Sequence, residues 1–300
     1  MDLAYLRAHP RQLPVLLEHQ RIRETPVPGG SICSASRLSL DDGSSLFVKT
    51  WPGGGPPPGG FFAAEAAGLR WLAEPGVVAV PEVVVALDDL LALAWVQPGP
   101  ATPATAERFG RELAALHRAG PGPTPGGGPR FGARWPGFIG RLLQDNTPAP
   151  PPWAPWFAAT RLAPHLRTSA DRGALAAADV ALVERVLARI DRYAGDEPPA
   201  RIHGDLWPGN LLWTAERVWL IDPAAHGGHR ETDLATLALF GGAPHQDRII
   251  AGYQEVWPLA EGWAARVPLH QLHLLLVHTA LFGAPWRDAV VAAAEAALRA

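Results

Sequence analysis

Apolar residues recur at two different spacings along this chain, and the change of spacing divides it near residue 97. In SRLSLDDGSSLFVKT, residues 36–50, two short apolar runs flank DDGSS, the pattern of a β-hairpin with a glycine-containing turn. FFAAEAAGLRWL at 61–72 has helical spacing and carries Glu65 in its second turn. Two apolar β-rich runs follow, VVAVPEVVVAL and LLALAWV, ending at Gln97, Pro98 and Gly99. Beyond Pro98 the spacing is largely helical: ERFGRELAALHRA at 107–119, a second helix over roughly 171–194, and more toward the C-terminus. The pattern predicts an α+β, bilobal molecule. A small β-rich lobe with one main helix covers residues 1–97, and a larger, mainly helical lobe covers 98–300. WPGGGPPPGG at 51–60 and PGPTPGGGP at 121–129 read as loops; no separate core starts after the second, so it is not a domain linker.

One stretch fits neither spacing. RIHGDLWPGNLLW, residues 201–213, places turn-formers and hydrogen-bonding groups between apolar flanks, and LLWTAERVWLID then gives a second hairpin with Asp222 at its exit. Asp205 and Asn210 stand five apart on one loop, and Asp222 follows a hairpin later, so three oxygen-bearing side chains can converge. As isolated residues, Asp205 and Asn210 are ordinary turn formers. As a set they match phosphoryl transfer, in which a carboxylate orients the attacking hydroxyl while an amide oxygen and a second carboxylate hold magnesium.

Composition sharpens this. Among many arginines the chain has a single lysine, Lys49, near the end of the first hairpin. A lysine retained where arginine is otherwise used marks a position that a planar guanidinium cannot fill. Glu65, on the helix after that strand, can reach back to it. VPGGSICSA, residues 27–35, has glycines and small residues suited to a turn over phosphate groups, whereas the prolines of 51–60 lack the N–H groups such a cradle needs. The net charge of −3 and the absence of any Lys/Arg-rich run exclude the electrostatic footprint of a nucleic-acid binder. No apolar run reaches the roughly 18 residues of a membrane span, and MDLAYLRAHPRQLP lacks a signal-peptide layout, so a cytoplasmic protein without a membrane partner is expected. A lone cysteine, Cys33, fits a reducing compartment, and no feature sets an oligomeric state.

The D-x-x-x-x-N spacing of HGDLWPGN matches the catalytic loop of the protein-kinase-like superfamily. Together with IDPAAHGGHRETDLATLALFGG, FGARWPGFIGRLLQDN, WFAATRLAPHLR and VPGGSICSA, it closely resembles the fructosamine kinase, or ketosamine-3-kinase, family over most of the chain. The resemblance implies a protein-kinase-like fold, ATP and magnesium as cofactors, and phosphorylation of the O3 hydroxyl of a small-molecule or glycated-protein ketosamine, which supports deglycation. It implies Lys49 as the phosphate lysine with Glu65 as its helix partner, Asp205 as catalytic base, Asn210 and Asp222 as magnesium ligands, and His203 as shaping the loop with Asp233 as a buried brace. Gly29, Gly30 and Ser31 would cover the phosphates, and adenine would dock near Ala94, Trp95 and Val96. Trp207 would lie against the sugar, and His226, His229 and His278 fall in segments the family uses around its acceptor pocket.

Two departures stand out. Cys33 occupies the position of an asparagine common in the family, and Ser31 that of a redox-sensitive cysteine found in some relatives; an inert thiol at Cys33 is expected over an intermolecular disulfide. Asp222-Pro223 replaces the Asp-Phe-Gly of protein kinases. For the histidines, a hydrogen-bonded structural place competes with substrate contact. Zinc is not expected at HQLHLLLVH, because His278 stands eight residues from His270 without a supporting carboxylate. The competing functions are an aminoglycoside- or choline-type phosphotransferase, distinguished by Trp207 and the DPAAHGGHRETD wording, and a non-catalytic nucleotide-binding protein, disfavoured because Lys49, Asp205, Asn210 and Asp222 are all present.

Overall fold

The computed structural model describes residues 22–52, 55–122, 127–192 and 197–300. The N-terminal stretch 1–14, parts of the two Gly/Pro loops and the end of the helix expected to 194 lie outside the described residues. Five antiparallel strands form the first sheet, in the order β1-β2-β3-β5-β4: β1 Ile22–Pro26, β2 Ser34–Leu40, β3 Ser45–Thr50, β4 Val83–Ala86 and β5 Leu90–Ala94. β2 and β3 are the expected hairpin. β1 was not anticipated because IRETP has one strongly apolar residue and forms a half-exposed edge. Of VVAVPEVVVAL only the second half is a strand; in the first half Ala79 bridges to Trp219 of the larger part.

Strand alternation explains the orientation of the key lysine. Leu46 and Val48 pack with Leu38, Leu40, Leu90 and Ala92 on one face of the sheet. Phe47 and Lys49, at the intervening positions, face the other way, toward α1, Phe61–Ala73. On α1, Phe62, Glu65, Leu69 and Leu72 recur at helical spacing, so the carboxylate shares its side with residues packed on Leu91 and Leu93.

After β5 the chain enters α2, Pro103–Arg118, begun by Thr102 and Thr105 in a reciprocal capping box with proline in the first turn. The short pair β6, Gly137–Ile139, and β7, Leu142–Gln144, follows, and then α3, Trp153–Phe157, a π-turn over Ala158–Leu162, α4, Ala163–Asp171, and α5, Ala177–Leu187. The helix expected over 171–194 is therefore broken, because Ala174 and Leu175 turn inward between α4 and α5. β8, Ala200–Ile202, pairs with β11, His226–Gly228, and β9, Leu211–Trp213, with β10, Val218–Leu220. Four helices complete the chain: α6 Arg230–Thr236, α7 Gln246–Val256, α8 Trp263–Phe282 and α9 Arg287–Arg299. One core joins α3, α4, α5, α8 and α9; a second packs α2 and α7 under the loop that follows β8 through Phe109, Leu113, Leu206, Ile249 and Tyr253. No helix among the described residues is long and apolar enough to cross a membrane.

Candidate active site

A cavity of about 850 Å³ lies where the sheet faces the loop between β8 and β9. The loop between β1 and β2 contributes Gly29, Gly30 and Ser31, with both glycines at positive φ (112° and 76°), so its backbone faces the opening. Lys49 and Glu65 line one wall; Asp205, Trp207, Asn210 and Asp222 line the floor. The Lys49 ammonium lies 2.8 and 2.9 Å from the two Glu65 oxygens and 2.8 Å from Asp222 Oδ1, so its three protons each have an acceptor. Burial works against its charge, but Asp222 and Glu65 outweigh that cost and raise its pKa above the ordinary lysine value. The pairing with Glu65 is the one expected from the sequence; the contact with Asp222, 173 residues away, needed the fold.

Behind the loop sits a closed polar network. Asp233 Oδ2 accepts the His203 backbone N–H at 2.7 Å, and Oδ1 accepts that of Gly204 at 2.9 Å. His117 Nε2 lies 3.2 Å from Asp233 Oδ2, and its Nδ1 lies 2.8 Å from the Tyr253 hydroxyl. Burial pushes the Asp233 carboxyl up, but the contacts from His117 and His203 prevail and hold it below its ordinary value. His203 Nδ1 accepts the Asp205 N–H, which leaves its Nε2–H to donate to the Ile221 carbonyl at 2.9 Å. One imidazole thus ties the loop that carries Asp205 to the residue preceding Asp222.

Asp205 has the opposite environment. Burial, and then the Asp222 charge, push its pKa up to about 7, with Asn210 partly opposing. Asn210 Nδ2 donates to the Asp205 carbonyl at 2.8 Å, which leaves its amide oxygen as the free acceptor. Asp222 sits at φ +54°, an uncommon conformation for a residue with a side chain, in which one carboxylate oxygen meets Lys49. An amide oxygen and a carboxylate oxygen from Asn210 and Asp222 are the hard donors that suit magnesium. Two glycines allow close approach, and at Gly204, where φ is +80° and the neighbour is backbone, a side chain is excluded. A Cβ at Gly204 would stand 2.3 Å from the Ala224 carbonyl oxygen, and one at Gly209 would stand 2.1 Å from the Trp207 ring, which lies flat across that backbone.

Other expected contacts fall elsewhere. Ala94, Trp95 and Val96 do not line the cavity: Ala94 pairs with Leu46 at the end of β5, and the Trp95 ring turns toward Arg37 and Gln97. His278 lines the cavity, whereas His226 and His229 are buried outside it. His226 Nδ1 lies 2.7 Å from the Ala224 carbonyl, and burial followed by the Arg161 charge lowers its pKa to about 3, so the ring is neutral. His229 caps α6 by accepting the Glu231 N–H. Among the described residues, the grouping that could hold a metal is His229, Glu231 and His270, which joins one histidine of HQLHLLLVH to two residues outside it. That donor set suits a metal poorly, since His229 Nδ1 accepts a backbone N–H, which puts the proton of the neutral ring on the unpartnered Nε2, and both Glu231 oxygens accept from Arg266. Cys33 lines the cavity as a half-buried thiol whose pKa burial pushes up to about 11, unsuited to a reactive thiolate.

Several site residues had no sequence signal. His117 lies in an ordinary amphipathic helix. Asn146 lines the cavity, its side-chain oxygen held by buried Arg161 at 2.7 Å. Phe240 and Trp286 reach the cavity from segments that read as turn and helix start.

An antiparallel sheet with one lysine–glutamate pair, facing a loop bearing Asp205 and Asn210 and a hairpin ending at Asp222, defines an ATP-dependent phosphotransferase of protein-kinase-like fold. The solved gentamicin complex of APH(2")-IIa shares that fold, with a TM-score of 0.62 at 12% identity, covering 100% of this chain and 97% of the other. The family is narrower: residues 13–300 match the fructosamine kinase family model, and the chain belongs to that family. It is 33% identical over 276 residues to the probable ketoamine kinase slr1563 of Synechocystis, covering 89% of this chain and 88% of the relative. A crystal structure of a candidate fructosamine-3-kinase from Thermobifida fusca is 50% identical, with a TM-score of 0.87, covering 96% of this chain and 98% of that one.

Proposed function

We propose that this chain transfers the γ-phosphoryl group of ATP to the O3 hydroxyl of a ketosamine, a fructosyl or ribulosyl amine adduct, and so destabilises the adduct in deglycation. The observation that carries the reading is the convergence of Asp205, Asn210, Asp222 and Lys49 on one cavity, in a chain of the fructosamine kinase family. Residues 1–97 supply the nucleotide side and 98–300 the acceptor side, in a cytoplasmic enzyme.

Asp205 accepts the proton of the attacking hydroxyl, a role suited to a carboxyl whose pKa is pushed up to about 7, near the operating pH. Lys49 exchanges its Asp222 contact for phosphate oxygens while Glu65 keeps the ammonium aimed, and Gly29, Gly30 and Ser31 offer backbone donors to the same phosphates. Asn210 and Asp222 hold magnesium, which when bound supplies positive charge against the phosphoryl oxygens. Trp207 presents an aromatic face to the sugar, beside His278. His203 and Asp233 fix the loop, so that positioning rather than strong acid–base chemistry carries the rate.

Purified protein incubated with ATP and magnesium is expected to release ADP with fructosyl- and ribulosyl-amines, and the product to carry phosphate on O3. No ADP with any ketosamine, or phosphate at another hydroxyl, would overturn the reading.

A further inference from the structure

The acceptor side of the cavity ends in a wall that the phosphoryl chemistry does not use. Phe240 meets Trp207 edge-on at 5.7 Å and Trp286 at 5.2 Å, and Phe282 and Leu281 extend the wall along the end of α8. Two of these rings remain open to solvent, Phe240 at 36% and Phe282 at 41%. Phe240 also holds a left-handed backbone, φ +54°, which costs about 1 kcal/mol or more for a residue with a side chain. A strained, partly exposed phenylalanine at a cavity mouth points to a ligand contact rather than to core packing.

The wall itself carries no lysine or arginine among the described lining residues. Among the described lining residues the single lysine or arginine is Lys49, and its ammonium is bound to Glu65 and Asp222. Apart from small, aliphatic and neutral polar residues, the lining offers the carboxylates of Glu65, Asp205 and Asp222 and a set of aromatic rings whose faces attract cations; His278 packs among Phe240, Phe282 and Trp286. In a ketosamine the amine sits on C1, two carbons from C3. Starting from Asp205 and Trp207, the next rings along the cavity are Phe240, which meets Trp207, and Trp286, which meets Phe240.

We infer that Phe240, Phe282 and Trp286 form a subsite for the amine end of the acceptor, selecting ketosamines whose protonated amine bears an apolar or aromatic substituent over those bearing a small or anionic one. The cation lies against ring faces and the substituent covers the exposed rings. This inference rests on the ketosamine reading above.

The test compares fructose adducts of methylamine, propylamine, benzylamine and glycine in the ADP-release assay. The expected kcat/KM rises about tenfold or more from the methylamine to the benzylamine adduct, mainly through KM, and the glycine adduct falls below the propylamine adduct. Trp286→Ala and, independently, Phe282→Ala, each checked for an unchanged unfolding transition, are expected to bring the benzylamine to methylamine ratio to within about twofold. ADP release from both adducts with a wild-type ratio near one would overturn the subsite and leave the kinase reading intact. A large ratio that survives both substitutions would overturn its assignment to this wall. No ADP from any adduct would remove both readings.

Discussion

Asp205 is carried by the loop after β8 and Asp233 by α6 behind that loop, and the fold gives the two carboxyls opposite surroundings. Around Asp233 both carboxylate oxygens accept a backbone N–H, from His203 and Gly204, His117 lies against one of them, and the carboxyl is held below its ordinary value. Around Asp205 the nearest strong influences are burial and another carboxylate, and the pKa is pushed up to about 7. The brace is electrostatically satisfied and the cleft is not. A satisfied carboxylate gives rigidity, whereas one left short of positive charge keeps a free lone pair for a substrate proton.

The strongest way to break this contrast is Asp205→Asn, which is expected to lower turnover by about 10²–10⁴-fold while ATP binding stays nearly intact; unchanged turnover removes Asp205 from the base role. Asp233→Ala leaves two backbone N–H groups and His117 without their acceptor and is expected to cost about 3–5 kcal/mol of stability, read from denaturant midpoints. A loss below about 1 kcal/mol would mean that the network is no brace. Lys49→Arg keeps the charge but not the point geometry between Glu65 and Asp222, and is expected to lower kcat/KM by about 10–100-fold; a fully active variant undoes the argument from the solitary lysine.

The smaller effects concern pH. The kcat/KM for a ketosamine is expected to rise through about pH 7 as free Asp205 loses its proton, and Asp205→Asn removes that limb from the residual activity. Stability has the opposite sign. Because the folded pKa of Asp205 lies above its ordinary 3.8, the native state binds its proton more tightly than the unfolded chain does, so stability falls as pH rises from about 4 to about 7. Asp205→Asn should therefore be more stable than wild type at pH 8, by on the order of 1 kcal/mol, with the difference vanishing near pH 4. Equal urea midpoints at pH 8 would contradict the raised pKa.

How much of this was legible in the chain depended on the range of the interactions. The β2–β3 hairpin, α1 and the β9–β10 hairpin follow from local alternation and turn residues, and the structure has all three. β1 escaped because its half-exposed edge carries little apolar signal, and β8 and β11 because each is three residues long and owes its existence to a partner strand after an intervening hairpin, as in the pairing of Ile202 with His226. The helix expected through 171–194 failed because two inward apolar residues, Ala174 and Leu175, gain more by burial than the helix gains by continuing.

By itself the sequence determined the change from strand to helix spacing, the solitary lysine, and the spacing of Asp205, Asn210 and Asp222 that placed the chain in a kinase-like family. These properties are written in residue identity and local order. Only the tertiary structure decided that Lys49 meets Asp222 as well as Glu65, that His117 completes the brace, that His226 and His229 are buried outside the cavity, and that Phe240 and Trp286 wall its acceptor end. The physical reason is that each of these depends on which groups share a small volume after distant segments pack, and on how burial then redistributes charge among them.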